Sequence, residues 1–215
     1  MAQSRSIIFD VDSTLVTIEA LDFLAARNGC ARQVAALTTK AMNGQLPYHQ
    51  SLRQKLALVR PSFSDLVWQG NAYLHHLTFG VPETLAWLRR RGHPIWLLTG
   101  SFQPAVGILA HYLKIPDSQV FTNEILFDSA GGYIGFNASH PLAHNHGKAI
   151  LLHTLKDRLT DPVFIGDGAT DLEAQSQVSL FIGFGGVVYR PRIAAKASIY
   201  ITEPDLSAIL QKLYP

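Results

Sequence analysis

From Val81 to the end of the chain, short apolar runs alternate with segments of helical periodicity, and this constrains the fold more than any other feature. Pro94–Leu98, Pro162–Ile165, Leu180–Ile182 and Ile199–Ile201 are too short for helices and read as buried strands. Between and around them Pro82–Arg91, Phe102–Leu113, Lys148–Leu159, Asp171–Gln177 and Asp205–Leu213 read as helices. Pro82 opens the first of these and Gly92 closes it. Near the N-terminus, Arg5–Val11 adds one more apolar strand. Strands separated by helices of this length build a parallel α/β sheet with right-handed crossovers. Ligands of such sheets bind outside the carboxyl ends of the strands. Three strands end there in polar clusters: Asp10–Thr14, Thr99–Ser101 and Asp167–Asp171. Val120–Phe127 and Gly132–Phe136 are expected to pair as a hairpin around Ser129-Ala130-Gly131.

Between Glu19 and about Leu77 the pattern changes. Helices are expected over Ala20–Arg27, stopped by Asn28-Gly29, and over Ala31–Met42, stopped by Asn43-Gly44. A third lies between Pro47 and Pro61, and a fourth over Ser64–His76 with Ser62 or Ser64 as its cap. The chain therefore divides into a core, residues 1–16 and 78–215, and a helical insertion, residues 17–77. With 215 residues and 47% apolar content there is enough material for one sizeable core. A charged fraction of 16% argues against disorder. The net charge of +2 is too small to attract nucleic acid by bulk electrostatics. The lone Cys30 rules out an internal disulfide and a multi-cysteine zinc site. With no signal-peptide core and no apolar run long enough for a membrane span, a cytoplasmic location is expected.

Asp10-Val11-Asp12 places two carboxylates two residues apart at a strand end, where extended geometry turns both to the same side. A lone D-x-D is as well read as a capped turn. Gly166-Asp167-Gly168-Ala169-Thr170-Asp171, after a second buried strand, adds two more acids with glycines that let the backbone come close. Carboxylate oxygens grouped in this way suit Mg²⁺. Lys148 at a helix start and Thr99 after a third strand offer a cation and a hydroxyl for a phosphate.

The segments FDVDSTLV, LLTGSF, HGK and IGDGATDLEA resemble, in order, the four motifs of the haloacid-dehalogenase-type phosphatases. Within that superfamily the chain resembles the phosphoserine phosphatases, also through AMNGQLP, KLALV, FIGFGG and IYIT, so that nearly the whole sequence is covered. The resemblance implies a HAD-like Rossmannoid core with a small helical cap inserted after the first strand. It implies a phosphomonoesterase that works through an aspartyl phosphate. Asp10 would be the nucleophile and Asp12 the acid, then the base. Mg²⁺ would sit among Asp10, the Asp12 main-chain carbonyl and Asp167, with Asp171 nearby. Thr99, Gly100 and Lys148 would hold the phosphate. In the cap, Glu19 would meet the substrate ammonium, with Met42, Gly44 and Tyr48 lining the closed pocket. Lys55 would take the carboxylate where the family usually has arginine. Ser101 replaces a common glycine, and Tyr48 a common phenylalanine. The implied substrate is phosphoserine, in serine biosynthesis, and the implied assembly a monomer or homodimer. Two alternatives stay open: a phosphatase or phosphotransferase for another small amino- or hydroxyl-bearing phosphate, and a receiver-like phospho-aspartate module. The length and Asp12 count against the second.

His140, His144 and His146 read as a solvated loop beside the lysine motif rather than as transition-metal ligands. Gly183, Gly185 and Gly186 read as a tight turn, with an anion nest as the competing reading. Trp68, Trp87 and Trp96 sit in apolar stretches and read as core.

Overall fold

Strand β1 is Ile7–Phe9, three residues with no polar side chain, buried on both faces. In the computed structural model, which describes residues 4–42 and 45–214, it lies at the middle of a six-stranded sheet. Five helices follow it: α1 (Ala20–Arg27), α2 (Ala31–Met42), α3 (Tyr48–Val59), α4 (Phe63–His75) and α5 (Val81–Arg90). The chain then runs through β2 (Ile95–Phe102), α6 (Ala105–Tyr112), β3 (Val120–Asn123), β4 (Ile125–Phe127), β5 (Tyr133–Phe136) and α7 (Gly147–Thr154). It ends with β6 (Val163–Gly166), α8 (Ala169–Glu173), β7 (Leu180–Phe184), α9 (Pro191–Ala194), β8 (Ile199–Ile201) and α10 (Ala208–Leu213). The large sheet has the order β3-β2-β1-β6-β7-β8, and every pairing is parallel.

The central strands β1 and β6 are apolar throughout because helices cover both faces. Strand residues divide alternately between two core layers. Ile7, Phe9, Ile95, Leu97, Val163 and Ile165 pack on one side. Ile8, Trp96, Leu98 and Phe164 pack on the other. The strand order reverses between β1 and β6, which opens a crevice at their carboxyl ends.

Helix α4 is joined to α6 with little clearance. A Cβ added at Gly70 would lie 2.7 Å from Ile108 Cδ1 and 2.9 Å from the Ala105 carbonyl oxygen. Its N-terminus is fixed by a capping box, in which the Ser62 hydroxyl accepts from Asp65 N–H and the Asp65 carboxylate accepts from Ser62 N–H. No helix among the described residues is long and apolar enough to cross a membrane.

Several expectations shift. Strand β2 runs on through Thr99-Gly100-Ser101 to Phe102, with an irregular register against β3, so the second motif lies in the strand and not after it. The helix expected from Phe102 begins only at Ala105. Val120–Phe127 is two strands: β3 joins the large sheet, and only β4 pairs with β5 in the hairpin. The Lys148 helix ends at Thr154 and gives way to a 3₁₀ turn, Lys156–Arg158. Trp68 is not core. It is 36% exposed, stacked on Phe23 at 4.9 Å and covered by the Arg27 guanidinium at 4.4 Å.

Candidate active site

The three polar clusters converge on one cavity of about 700 Å³ lined by Asp10, Asp12, Thr99, Gly100, Lys148, Asp167 and Asp171. Asp10 and Asp167 follow adjacent strands, and the Asp10 N–H donates to the Ile165 carbonyl, 2.9 Å. Oxygens of Asp10, Asp167 and Asp171 come within 4.8 Å of one another, and all three residues are buried.

Lys148 reaches them from the first turn of α7. Its ammonium is 2.9 Å from Asp10 Oδ1 and makes a short ion pair with Asp171 Oδ1. Burial disfavours its charge, but Asp10 and Asp171 outweigh that and hold its pKa above the ordinary lysine value. Gly147 explains how the lysine gets there. A Cβ at that position would lie 2.0 Å from the Pro141 carbonyl oxygen, so only glycine lets α7 start this close. Gly166 has the same logic, since a Cβ there would lie 2.4 Å from Asp171 Cγ. Asp171 uses both oxygens within the protein, one for Lys148 and one for the Gly168 N–H at 2.9 Å.

Asp10, Asp12, Glu19, Asp167 and Asp171 are matched here by Lys148 and Arg190. Negative charge is in excess, and the carboxyls register it. Burial, then Glu19 and Asp10, drive the Asp12 pKa well above the ordinary aspartate value. Burial and Glu19 do the same to Asp167 against the opposing Arg190. Asp171 is pushed up to about 6 by burial and Asp10. An all-oxygen donor set with more negative than positive charge around it fits a hard divalent cation.

Asp12 is held on both oxygens: Tyr73 Oη donates to Oδ1 at 3.0 Å and Ala20 N–H to Oδ2 at 2.9 Å. Tyr48 lies in the cavity wall. Its hydroxyl accepts from Asn123 Nδ2 at 3.4 Å and faces Gly100, where a Cβ would be 2.7 Å from Oη. Burial pushes the Tyr48 pKa up to about 12. Thr99 is buried on β2, and its Oγ1 accepts from Ser101 N–H at 3.1 Å.

Glu19 lines the same cavity, with Oε1 accepting from Ser13 Oγ at 2.8 Å and paired with Arg190 at 3.1 Å. Lys55 also lines it, but its ammonium is already engaged by Asp22 at 3.2 Å. Gly44 and the Met42 side chain, both expected in the pocket, lie outside the described residues. Arg190 is the residue that sequence reasoning missed. It follows the glycine turn after β7 and precedes Pro191, and its Nε donates to Asp167 Oδ2 at 2.7 Å. Gly183 lies within β7 rather than in a turn, and the Gly185 N–H donates to the Ile201 carbonyl at 2.7 Å; Cβ atoms at Gly183 and Gly185 would strike Tyr200, at 2.6 and 2.4 Å. The histidines of the lysine-motif loop are exposed or half-buried. His140 Nδ1 accepts from Leu142 N–H, His144 Nε2 meets the Ala138 carbonyl, and His146 meets Glu173.

Residues 7–175 match the haloacid dehalogenase-like hydrolase family. The chain is 38% identical over 200 residues to the phosphoserine phosphatase of Mus musculus, which covers 92% of this chain and 89% of the mouse protein. Among solved structures, a substrate-bound phosphoserine phosphatase complex superposes with a TM-score of 0.85 at 26% identity, over 99% of both chains. A phospho-aspartyl intermediate analogue of phosphoserine phosphatase gives 0.85 at 28% identity, over 98% of this chain and 99% of that one. These matches run over most of the chain in sequence and in fold, and the chain belongs to the phosphoserine phosphatase family of haloacid dehalogenase-like hydrolases.

Proposed function

We propose that the protein hydrolyses O-phosphoserine to serine and phosphate through a phosphorylated Asp10. The observation that carries this reading is the meeting of Asp10, Asp167 and Asp171 beneath the Lys148 ammonium, with the hydrogen-bonded Asp12 carboxyl beside them. Residues 17–77 act as the cap and the rest as the core.

Asp10 attacks phosphorus as the seryl oxygen leaves. The Asp12 proton goes to that oxygen, so that no alkoxide has to be expelled. Burial, Glu19 and Asp10 raise its pKa above the ordinary aspartate value, which favours the protonated form this step needs. Once serine has gone, the Asp12 carboxylate takes a proton from water as the water attacks the aspartyl phosphate. Asp10 and Asp12 are then restored. Lys148, Thr99 and the Gly100 N–H hold the phosphoryl oxygens and offset the charge that spreads over them. Asp10, the Asp12 carbonyl and Asp167 would hold Mg²⁺, which supplies further charge neutralisation when bound. Asp171 orients Lys148 through their ion pair. In the cavity wall Glu19 faces the ammonium, Lys55 the carboxylate, and Tyr48 closes over Gly100.

The test is phosphate release with Mg²⁺ from phosphoserine, phosphothreonine, histidinol phosphate and phosphocholine, with Asp10→Asn as control. Phosphoserine is expected to give the highest kcat/KM and folded Asp10→Asn none. A different best substrate would reassign the leaving group. Activity retained in Asp10→Asn would refute the covalent route.

A further inference from the structure

Tyr73 is fully buried, its ring packed in the main hydrophobic cluster, and a phenylalanine would fill the same space. A phenol oxygen is costly at such depth unless it is hydrogen-bonded. Its partners are Asp12 Oδ1 at 3.0 Å and Ser101 Oγ at 2.8 Å. Ser101 is itself buried. The proton directions follow from the donor inventory. Once Asp12 has given up its proton its carboxylate only accepts, so the Tyr73 O–H donates to it. Tyr73 then has only lone pairs to offer Ser101, and the Ser101 hydroxyl donates to it. Ser101 O–H to Tyr73 O–H to Asp12 is one directed chain.

The second Asp12 oxygen is tied to the same helix at one remove. It accepts from Ala20 N–H, and the Ala20 carbonyl accepts from Gln69 Nε2 at 3.0 Å. Gln69 and Tyr73 are four apart on one face of α4, and both are fully buried. Gly70, between them, seats α4 against the Ala105 backbone of α6. The helix is thus a strut from the core to the acid.

We propose that Tyr73, backed by Ser101, and Gln69, acting through Ala20, are positioning residues that fix the orientation of the Asp12 carboxyl. The inference rests on the reading of Asp12 as the acid that protonates the leaving oxygen. Ser101, which departs from the glycine common at this place in the motif, then has a purpose: it orients the Tyr73 hydroxyl.

Leaving-group dependence distinguishes positioning from folding. A nitrophenolate leaves without a proton, whereas an alkoxide does not, and kcat/KM reports steps only up to its departure. The experiment measures kcat/KM for phosphoserine and for a series of substituted phenyl phosphates, with Tyr73→Phe, Ser101→Ala, Asp12→Asn and the double variant Asp12→Asn/Tyr73→Phe. Melting curves confirm folding. Tyr73→Phe is expected to lose about tenfold to a hundredfold on phosphoserine, the range for one hydrogen bond to a charged group. On p-nitrophenyl phosphate it should lose less than about threefold, because that leaving group makes little demand on the acid. Ser101→Ala should show the same trend more weakly, and the double variant should lose no more than Asp12→Asn alone. Equal losses across the series, no losses, or additive losses in the double variant would overturn the positioning role. If Asp12→Asn itself showed no leaving-group dependence, the reading of Asp12 as the acid would fail, and this inference with it.

Discussion

The Arg190 guanidinium rests on Asp167, Nε 2.7 Å from Oδ2. It also reaches Glu19 Oε1 at 3.1 Å, so one cation links a core carboxylate to one at the start of the helical insertion. A guanidinium on Asp167 competes with any divalent ion for that carboxylate. Like charges a few ångströms apart repel strongly at low local dielectric. Arg190→Gln should therefore tighten Mg²⁺ binding to the substrate-free protein by at least about threefold, about 0.7 kcal/mol. Calorimetric titration gives the answer. Weaker binding would mean that Arg190 organises the acid cluster and does not oppose the ion.

The acid cluster also fixes a pH signature. Asp12, Asp167 and Asp171 have raised pKa values, Asp171 at about 6. Between the ordinary aspartate value and these raised ones, the folded state binds more protons than the unfolded chain. The cluster's contribution to stability is therefore fully present at the acid end and is lost as pH rises through about 6. A divalent cation needs the deprotonated forms, so it restores most where most has been lost. The rise in Tm on adding Mg²⁺ should be larger at about pH 7.5 than at about pH 5, and Asp167→Asn should reduce it at both. A shift independent of pH would argue against metal binding at these carboxyls. Activity should vanish in chelator and return with Mg²⁺, and Ca²⁺ should inhibit because it favours looser coordination with more ligands.

Gly147→Ala tests how closely α7 must approach. The added Cβ meets a backbone carbonyl at 2.0 Å, which cannot rotate away as a side chain could. The start of α7 must move, and Lys148 with it. Such overpacking costs about 1–3 kcal/mol, a Tm decrease of several degrees. Because the displaced group is the cation proposed to bind the phosphate, kcat at a temperature where the variant is fully folded should fall at least about tenfold. Normal kcat in a destabilised variant would separate the packing role of this glycine from the placement of the lysine.

What the sequence made legible is what local pattern determines. Buried strands such as Ile7–Phe9 and Val163–Gly166 have no polar interruption, and their polar tips mark the crevice. The cap at Ser62 and the proline in the first turn of α5, Pro82, act through neighbours a few residues away. Arg190, Tyr73 and the engagement of Lys55 by Asp22 were not legible. Each depends on contacts across long stretches of chain: 171 residues separate Arg190 from Glu19, and 61 separate Tyr73 from Asp12. Trp68 misled because an apolar stretch on an amphipathic helix does not reveal where its face ends, and here the indole is covered from outside by Arg27. Thr99-Gly100-Ser101 read as the polar cluster after the strand, yet β2 continues through it as an irregular stretch and pairs with β3 again at Phe102 and Asn123.

The engagement of Lys55 changes how its role must be tested. Its ammonium donates to Asp22 Oδ2 at 3.2 Å, and Thr38 Oγ1 contacts both Asp22 oxygens at 2.9 and 3.1 Å. A lysine has three donors, so two remain for a ligand carboxylate. On this view Lys55→Ala should cut kcat/KM for phosphoserine at least about tenfold, since an ion pair in a partly closed pocket is worth about 2–5 kcal/mol when one partner is removed. Phosphoethanolamine, with the ammonium but no carboxylate, should change little. Glu19→Gln should weaken both substrates, because both carry the ammonium. Lys55→Arg should keep or improve phosphoserine use by offering a planar fork. Asp22→Asn is the decisive control: it removes the charge partner and leaves the ammonium. If Lys55 binds the substrate, Asp22→Asn should preserve the preference for phosphoserine over phosphoethanolamine. A loss equal to that of Lys55→Ala would mean that the pair serves the packing of α1 against α3, and that the carboxylate is read elsewhere in the cavity.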